Sequence, residues 1–340
     1  MRPCTRVGID TTWKCMARCK HCFYVRSPKF HCGQDVPLEE IKDKIDKGRR
    51  GGLDHVVFVG YGEPSCDRRT PEIIDYAHGL GMATSMITLG VTGLERFQGY
   101  RQQGMNHLHI SSHGLGNTLD EIVGVKGAFQ KQAELKQWMS DVGWPFRTNI
   151  TMQQDNYRQL PDVVDYEIGK GVFHFVFLGF LPHYEWRDHV TSLAVHPAEL
   201  RPYIEAGADR LLEVGKYFTI RYHPFCHLRP DLWKYIVNAR YVFYDPWEWN
   251  YTLQVTDERE LWGAAIKCGE AVAIQGEPCN RCVMRNHCGG WNRIYAKAFD
   301  GAELRPIVEV PDEYGDVWRF DGGLHQLNPI NHLSGTIGPA

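Results

Sequence analysis

The 340-residue sequence has no apolar run near the roughly 18 residues that a membrane span requires. Its longest candidate, Phe175 to Leu181, has the length of a buried strand. The N-terminus, Met1-Arg2-Pro3-Cys4, lacks the apolar core of an export signal. Neither secretion nor a membrane is expected. There is no long basic tail and the formal net charge is −3, which argues against non-specific polyanion binding. No repeat of ankyrin or tetratricopeptide type is present. What is there, 43% hydrophobic and 23% charged residues, suits a globular chain with one large domain and one small one.

Eleven cysteines are many for a chain without an export signal. Disulfide scaffolds of that density are usually short and secreted. Here the cysteines cluster in two tight groups far apart in sequence, the pattern of metal sites. Reduced thiols and a cytoplasmic setting follow. Cys4, Cys32 and Cys66 have no partner spacing and read as buried or incidental.

Short apolar runs alternate with longer amphipathic ones. Strands are predicted at Arg6–Asp10, His55–Val59, Met82–Thr88, His107–Ser111, Phe146–Met152 and Phe173–Phe180. Helices are predicted over Pro37–Arg50, from Thr70 to Gly79, and over Thr92–Gln103, Leu119–Val142, Tyr157–Lys170 and Pro197–Val214. Six strands, each followed by a helical region, imply a parallel sheet. The alternation stops near His223-Pro224, and a domain boundary is placed near Cys226. The aromatic stretch Tyr241–Val255 resembles a β-hairpin, and the Gly-, Pro- and Asn-rich tail from Pro306 an extended wrap.

Just after the first strand comes Cys15-Met16-Ala17-Arg18-Cys19-Lys20-His21-Cys22, a CxxxCxxC run. Three thiolates on one loop can hold three irons of a [4Fe–4S] cube and leave the fourth iron open. Zinc is the alternative, although it usually takes four ligands in pairs. After the second strand comes Gly60-Tyr61-Gly62-Glu63-Pro64. Together these resemble the radical S-adenosylmethionine (SAM) superfamily, with Tyr61 where a GGEP motif usually has glycine. The resemblance covers roughly residues 5 to 225. It implies an α/β fold, a partial (β/α)6 TIM-like barrel, with ligands at the C-terminal face of the strands. It implies that Cys15, Cys19 and Cys22 hold a SAM-cleaving cluster, and that an electron from the cluster releases a 5′-deoxyadenosyl radical that takes a substrate hydrogen. It implies that Gly60 to Pro64 receive the SAM amino group and that His21 lies against the adenine. Ser111-Ser112-His113 and Arg147-Thr148-Asn149 fall where the family holds the ribose and carboxylate.

Cys279, Cys282 and Cys288 form CxxCxxxxxC. This resembles the core of the SPASM/Twitch extensions, which bind auxiliary iron–sulfur clusters. Asn292 stands where the full SPASM pattern has a fourth cysteine, so a single second [4Fe–4S] cluster is expected, in a small C-terminal β-hairpin/helix iron–sulfur domain. The expected division is residues 1–225 for the barrel and 226–340 for that domain and the tail. Cys268, eleven residues upstream of Cys279, is the obvious fourth ligand, with Cys226 further away. An arginine (Arg281, Arg285 or Arg293) or a substrate atom is the alternative, and structural zinc a different reading of the trio.

Only 14 residues precede Cys15, which leaves no room there for the winged-helix recognition domain of many peptide-modifying relatives. The expected substrate is a small molecule, a nucleotide-linked group, or a peptide delivered by a separate partner, with an external one-electron reductant. Tyr241, Phe243, Tyr244, Trp247, Trp249 and Tyr251 can stack a base. Lys42, Lys44, Lys47, Arg49 and Arg50, with Arg68 and Arg69, can neutralise phosphates. Core packing and a solvated helix face are the plainer readings. In layout the chain resembles the radical SAM isomerases of phage thymidine hypermodification, which would need a flipped base. Isomerisation, epimerisation or dehydrogenation at carbon is the expected chemistry. A two-cluster electron carrier and a zinc interaction module are the competing classes.

Overall fold

The structure is a computed structural model that describes residues 6–22, 25, 33–180, 190–237, 273–285, 288–299 and 304–312. Strands β1 (Arg6–Asp10), β2 (His55–Val59), β3 (Ala83–Thr88), β4 (His107–Ser111), β5 (Phe146–Met152), β6 (His174–Gly179), β7 (Tyr217–Arg221) and a short β8 (Ile236–Val237) form one sheet in chain order. Every pairing in it is parallel. β1 and β8 are its edges, so the sheet is an open α/β barrel. Helices α1 (Leu38–Arg50), α2 (Thr70–Gly79), α3 (Leu94–Gln102), α4 (Asn117–Val123), α5 (Ala128–Asp141), α6 (Leu160–Gly169) and α7 (Pro197–Glu213) lie between successive strands.

The strands alternate in the sense of their pleat. Val7, Ile9, Val56, Phe58, Met86, Leu108 and Ile110 pack against Ile41, Ile45, Ile73, Ile74 and Ala77 of the helices. Phe175, Phe177, Phe218 and Ile220 pack with Val163, Val164, Ile204 and Ala208. Each of these Val, Leu, Ile, Met and Phe side chains contributes about 1.5–3 kcal/mol on burial. The alternate positions are polar and buried as well: Arg6, His55, His107, His109, Arg147, His174, Thr219 and Arg221. His55 Nε2 meets Ser85 Oγ at 2.8 Å, and His107 Nε2 meets His109 Nε2 at 2.8 Å. Burial, with the charge of the arginines, holds these imidazoles well below their usual pKa, so they are neutral at pH 7.

Two predicted elements differ. The single helix expected over Leu119–Val142 is two, because Gly124 and Gly127 turn the chain with φ of 66° and 75°. Asp120 fixes the corner by accepting from the Gly127 and Phe129 N–H groups. The alternation also runs past the sixth strand, into β7 and β8. The lysines of the basic run on α1 are paired with acids, Lys42 with Glu72 of α2 at 3.1 Å. Lys44 meets Glu40 at 3.2 Å and Lys47 meets Asp43 at 2.6 Å, both at i,i+4 spacing.

Near the C-terminus, β9 (Ala273–Ile274) pairs antiparallel with β10 (Trp291–Asn292). Helix α8 (Arg293–Ala298) follows, capped by the Asn292 carboxamide oxygen, which accepts from the Ile294 and Tyr295 N–H groups. Trp291 and Tyr295 pack in one apolar cluster with Phe180, Val190 and Leu193. Residues 241–255, Cys4, Cys32, Cys268 and the tail beyond 312 lie outside the described residues.

Candidate active site at the mouth of the barrel

The cysteine loop leaves β1 and is pinned at both ends. The Gly62 N–H donates to the Thr12 carbonyl at 3.0 Å and the Glu63 N–H to the Lys14 carbonyl at 2.9 Å. Further along, the Arg18 and Lys20 N–H groups donate to the Val123 and Ile122 carbonyls at the end of α4. A tight turn, Cys22 N–H to Cys19 O at 3.0 Å, sets the last two thiols. Cys15, Ala17 and Cys19 pack on Leu89, Leu119, Ile122 and Val123. Cys15, Cys19 and Cys22 then line one cavity of about 290 Å³ with His21, Val25, Gly60 to Pro64, Ile87, Thr88, Leu89, Ser111 and His113. It sits at the C-terminal ends of β2, β3 and β4, where such barrels place ligands.

Gly62 is required there by close approach. A Cβ on it would run into the Lys14 carbonyl oxygen and lie 2.8 Å from the Trp13 carbonyl carbon. Tyr61 departs from the glycine of the family motif, and its ring stacks on Trp13 at 4.0 Å and 7°. The turn therefore accepts a large side chain at this position.

Glu63 is buried, and its carboxylate is filled by protein donors. Oε1 accepts from the Ser65 N–H at 3.1 Å, Ser65 Oγ at 2.6 Å and Thr88 Oγ1 at 2.6 Å. Oε2 accepts from the Leu89 N–H at 2.8 Å. The carboxylate thus ties the motif to the end of β3. Glu63→Gln places an NH₂ among these donors and should lower stability by about 1–3 kcal/mol. A lower melting temperature together with weaker SAM binding is the expected outcome. Weaker SAM binding at unchanged melting temperature would instead make the carboxylate a direct ligand contact.

Asp10, at the end of β1, accepts from the Tyr61 backbone N–H, and burial raises its pKa to about 6. A raised carboxyl pKa costs folded stability once the unfolded chain ionises, so the cost builds between about pH 4 and 6 and persists above. Asp10→Asn should raise the melting temperature at pH 7.5, by at most about 3 kcal/mol of stability. The gain should vanish below pH 4, and thermal melts at both pH values check it.

The remaining candidates divide by strand register. Ser111 and His113 line the cavity, and His113 meets His21 edge-on at 4.3 Å. Burial lowers the His21 pKa to about 4, so it is a neutral ring, and its Nδ1 has no hydrogen-bond partner among the described residues. Ser112 is not on the cavity wall. Its Oγ accepts from Lys136 Nζ at 2.5 Å, in a buried network where Lys136 pairs with Glu167 at 2.5 Å and Thr148 Oγ1 donates to Glu167 at 2.8 Å. Arg147 and Asn149 lie together, Nη2 to Oδ1 at 3.3 Å, and do not line this cavity either. Gln132 was not anticipated from sequence. Its Nε2 donates to the Leu89 and Ser111 carbonyls and holds two walls of the cavity in register.

The thiols fit an iron–sulfur cube. Burial and the charge of Glu63 push Cys15 up to about 12, and burial with the two other thiols raises Cys19 further, so a cation is what lets this set ionise. A single zinc needs sulfurs about 3.8 Å apart, given bonds of about 2.3 Å. Among the described residues no three His, Cys, Asp or Glu side chains converge on one ion. A cube, with one thiolate per corner iron, spaces them wider.

At the C-terminal site, Cys279 and Cys282 flank the 3-10 turn Glu277–Arg281, and the Cys282 N–H donates to Cys279 O at 3.1 Å. Cys288 Sγ accepts from the Gly290 N–H at 3.3 Å. Cys226, in the turn Phe225–His227 after β7, lies against this trio. It shares an apolar cluster with Cys279, and its neighbour Phe225 gives Cys288 a backbone hydrogen bond. The sequence offers it only as the more distant candidate, behind Cys268.

The chain is an open parallel α/β barrel with a trio of thiols in the cavity at its C-terminal mouth. Residues 9–166 match the Radical SAM superfamily model, a family that uses a [4Fe–4S] cluster and SAM. The chain is 27% identical over 164 residues to the PqqA peptide cyclase of Bradyrhizobium diazoefficiens, covering 48% of this chain and 43% of that one. It is 28% identical over 180 residues to the AdoMet-dependent heme synthase of Oleidesulfovibrio alaskensis, covering 52% and 46%. The match thus spans less than half the length of these curated relatives. In fold it is similar to anSMEcpe solved with AdoMet and the Kp18Cys peptide (TM-score 0.61, 14% identity, 97% of this chain and 99% of that one). It is similar also to Streptococcus suis SuiB bound to the precursor peptide SuiA (TM-score 0.61, 15% identity, 92% and 76%). Among the described residues no helix is long and apolar enough to cross a membrane.

Proposed function

We propose that this chain is a radical SAM enzyme that removes a hydrogen atom from a carbon centre of a peptide, in the barrel mouth, and carries an auxiliary cluster in residues 226–340. The observation that carries the reading is the single cavity shared by Cys15, Cys19, Cys22 and the Gly60–Pro64 turn. When bound, the cluster supplies the electron that cleaves SAM reductively. Cys15, Cys19 and Cys22 hold it. The turn backbone receives the SAM amino group, and Glu63 keeps that turn in place through Thr88 and Leu89. Neutral His21 offers a face to the adenine, and Ser111 a hydroxyl beside it. Arg147, Asn149 and Ser112 take supporting places, with Ser112 acting through Lys136 and Gln132.

A peptide is favoured over a nucleotide. Peptides appear in the names of several relatives and neighbours, and the three lysines of the basic run on α1 are already paired with acids, Lys42 with Glu72, Lys44 with Glu40 and Lys47 with Asp43. The reaction is an oxidation or isomerisation at carbon, with the electron drawn from an external reductant. Deuterium transfer tests it. The reconstituted enzyme, SAM and dithionite are incubated with peptides from cells grown in deuterated medium, or with a matched deuterated nucleoside mixture. Deuterium should enter 5′-deoxyadenosine from the peptides. Enrichment from the nucleosides alone would overturn the peptide reading in favour of a nucleotide, and enrichment from neither would remove both.

A further inference from the structure

The C-terminal trio is one ligand short of a closed centre, and the fold brings the more distant of the two candidate thiols, Cys226, against it. Cys226 belongs to the turn that leaves β7, at the end of the barrel, whereas Cys279, Cys282 and Cys288 come from the segment around β9 and β10. The two parts meet tightly. Cys226 and Cys279 share an apolar cluster with Trp291 and Tyr295. The Phe225 backbone gives a hydrogen bond to Cys288, and the Arg305 backbone gives one to Cys226. Gly290 N–H donates to Cys288 Sγ at 3.3 Å, and the Cys279 thiol takes one from the Gly276 backbone. Backbone N–H groups aimed at sulfur stabilise thiolates, the ligating form of cysteine. Four half-buried thiols from two parts of the chain, three of them with N–H groups directed at them and no three converging on a single ion among the described residues, suit a cluster with one thiolate per iron.

We propose that Cys226 is the fourth protein ligand of the C-terminal centre, which is then closed by Cys226, Cys279, Cys282 and Cys288. This rests on the auxiliary-cluster reading above and sharpens it. A cluster with four protein thiolates leaves no iron open to a substrate atom or an arginine, so it does not anchor the substrate. It also ties the end of β7 to the β9–β10 segment, so losing the centre should loosen both.

The test uses the full chain, purified and reconstituted anaerobically, with Cys226→Ala, Cys226→Ser and Cys268→Ser beside the wild type. Iron, sulfide and zinc are counted, and electron paramagnetic resonance spectra are taken before and after reduction. Formation of 5′-deoxyadenosine from SAM reports independently that the barrel is folded. The wild type should hold about eight irons. Cys226→Ala should lose up to half of them or show a three-iron signal, and should still cleave SAM. Cys268→Ser should match the wild type. Wild-type iron content and spectra in both Cys226 variants would overturn the assignment, as would the same loss appearing in Cys268→Ser. A wild type with about four irons and one zinc would sink the auxiliary-cluster reading separately. Loss of that zinc in Cys226→Ala would still place Cys226 in the ligand set.

Discussion

A Cys15→Ala, Cys19→Ala, Cys22→Ala variant should form no 5′-deoxyadenosine and should keep about half of the wild-type iron. The loop that carries the three thiols is held by backbone hydrogen bonds, from Gly62 and Glu63 on one side and to Val123 and Ile122 on the other. None of these bonds needs a cysteine side chain, so the variant should fold. What it loses is the thiolate set lining the cavity, and with it any place for an iron that SAM can reach. Iron analysis, product chromatography and circular dichroism on one preparation separate loss of the centre from loss of the fold. Undiminished SAM cleavage in the folded variant would move the reaction centre elsewhere.

Gly62→Ala should weaken SAM binding by tenfold or more, the equivalent of about 1.4 kcal/mol. The added methyl meets backbone, the Lys14 carbonyl and the Trp13 carbonyl carbon, and backbone cannot step aside as a flexible side chain can. Relief requires breaking the Gly62-to-Thr12 or Glu63-to-Lys14 hydrogen bond, which are the two clamps between the motif turn and the cysteine loop. Gly79→Ala, whose Cβ would meet nothing within 4 Å, is the matched control and should bind SAM as the wild type does. Equal SAM affinity in the Gly62 and Gly79 variants, measured by equilibrium dialysis, would show that the turn is not part of the binding site.

Local features of this chain were legible from sequence because their chemistry lies within a few residues. The CxxxCxxC loop, the Gly60–Pro64 turn and the six strand–helix pairs needed no long-range information. Four things were not legible. The corner at Gly124–Gly127 interrupts an otherwise continuous helical period, and its capping acid, Asp120, looks like any surface residue of α4. The face taken by Ser112 depends on strand register, since a one-residue shift exchanges the cavity wall for the helix layer. On that face Ser112 meets Lys136, which pairs with Glu167 of a different helix. Cys226 reaches Cys279 only through the path of the chain after β7, and no spacing rule connects them. The saturated carboxylate of Glu63 belongs to the same class, because its donors Thr88 and Leu89 sit on the next strand.

The central claim is that the barrel mouth is a SAM-cleaving centre. The direct measurement is anaerobic incubation of the reconstituted chain with SAM and dithionite, followed by quantification of 5′-deoxyadenosine and methionine. The two products should accumulate in equal amounts, in proportion to enzyme that holds the first cluster. Protein loaded with iron and able to bind SAM, yet forming neither product above the no-enzyme control, would contradict the account.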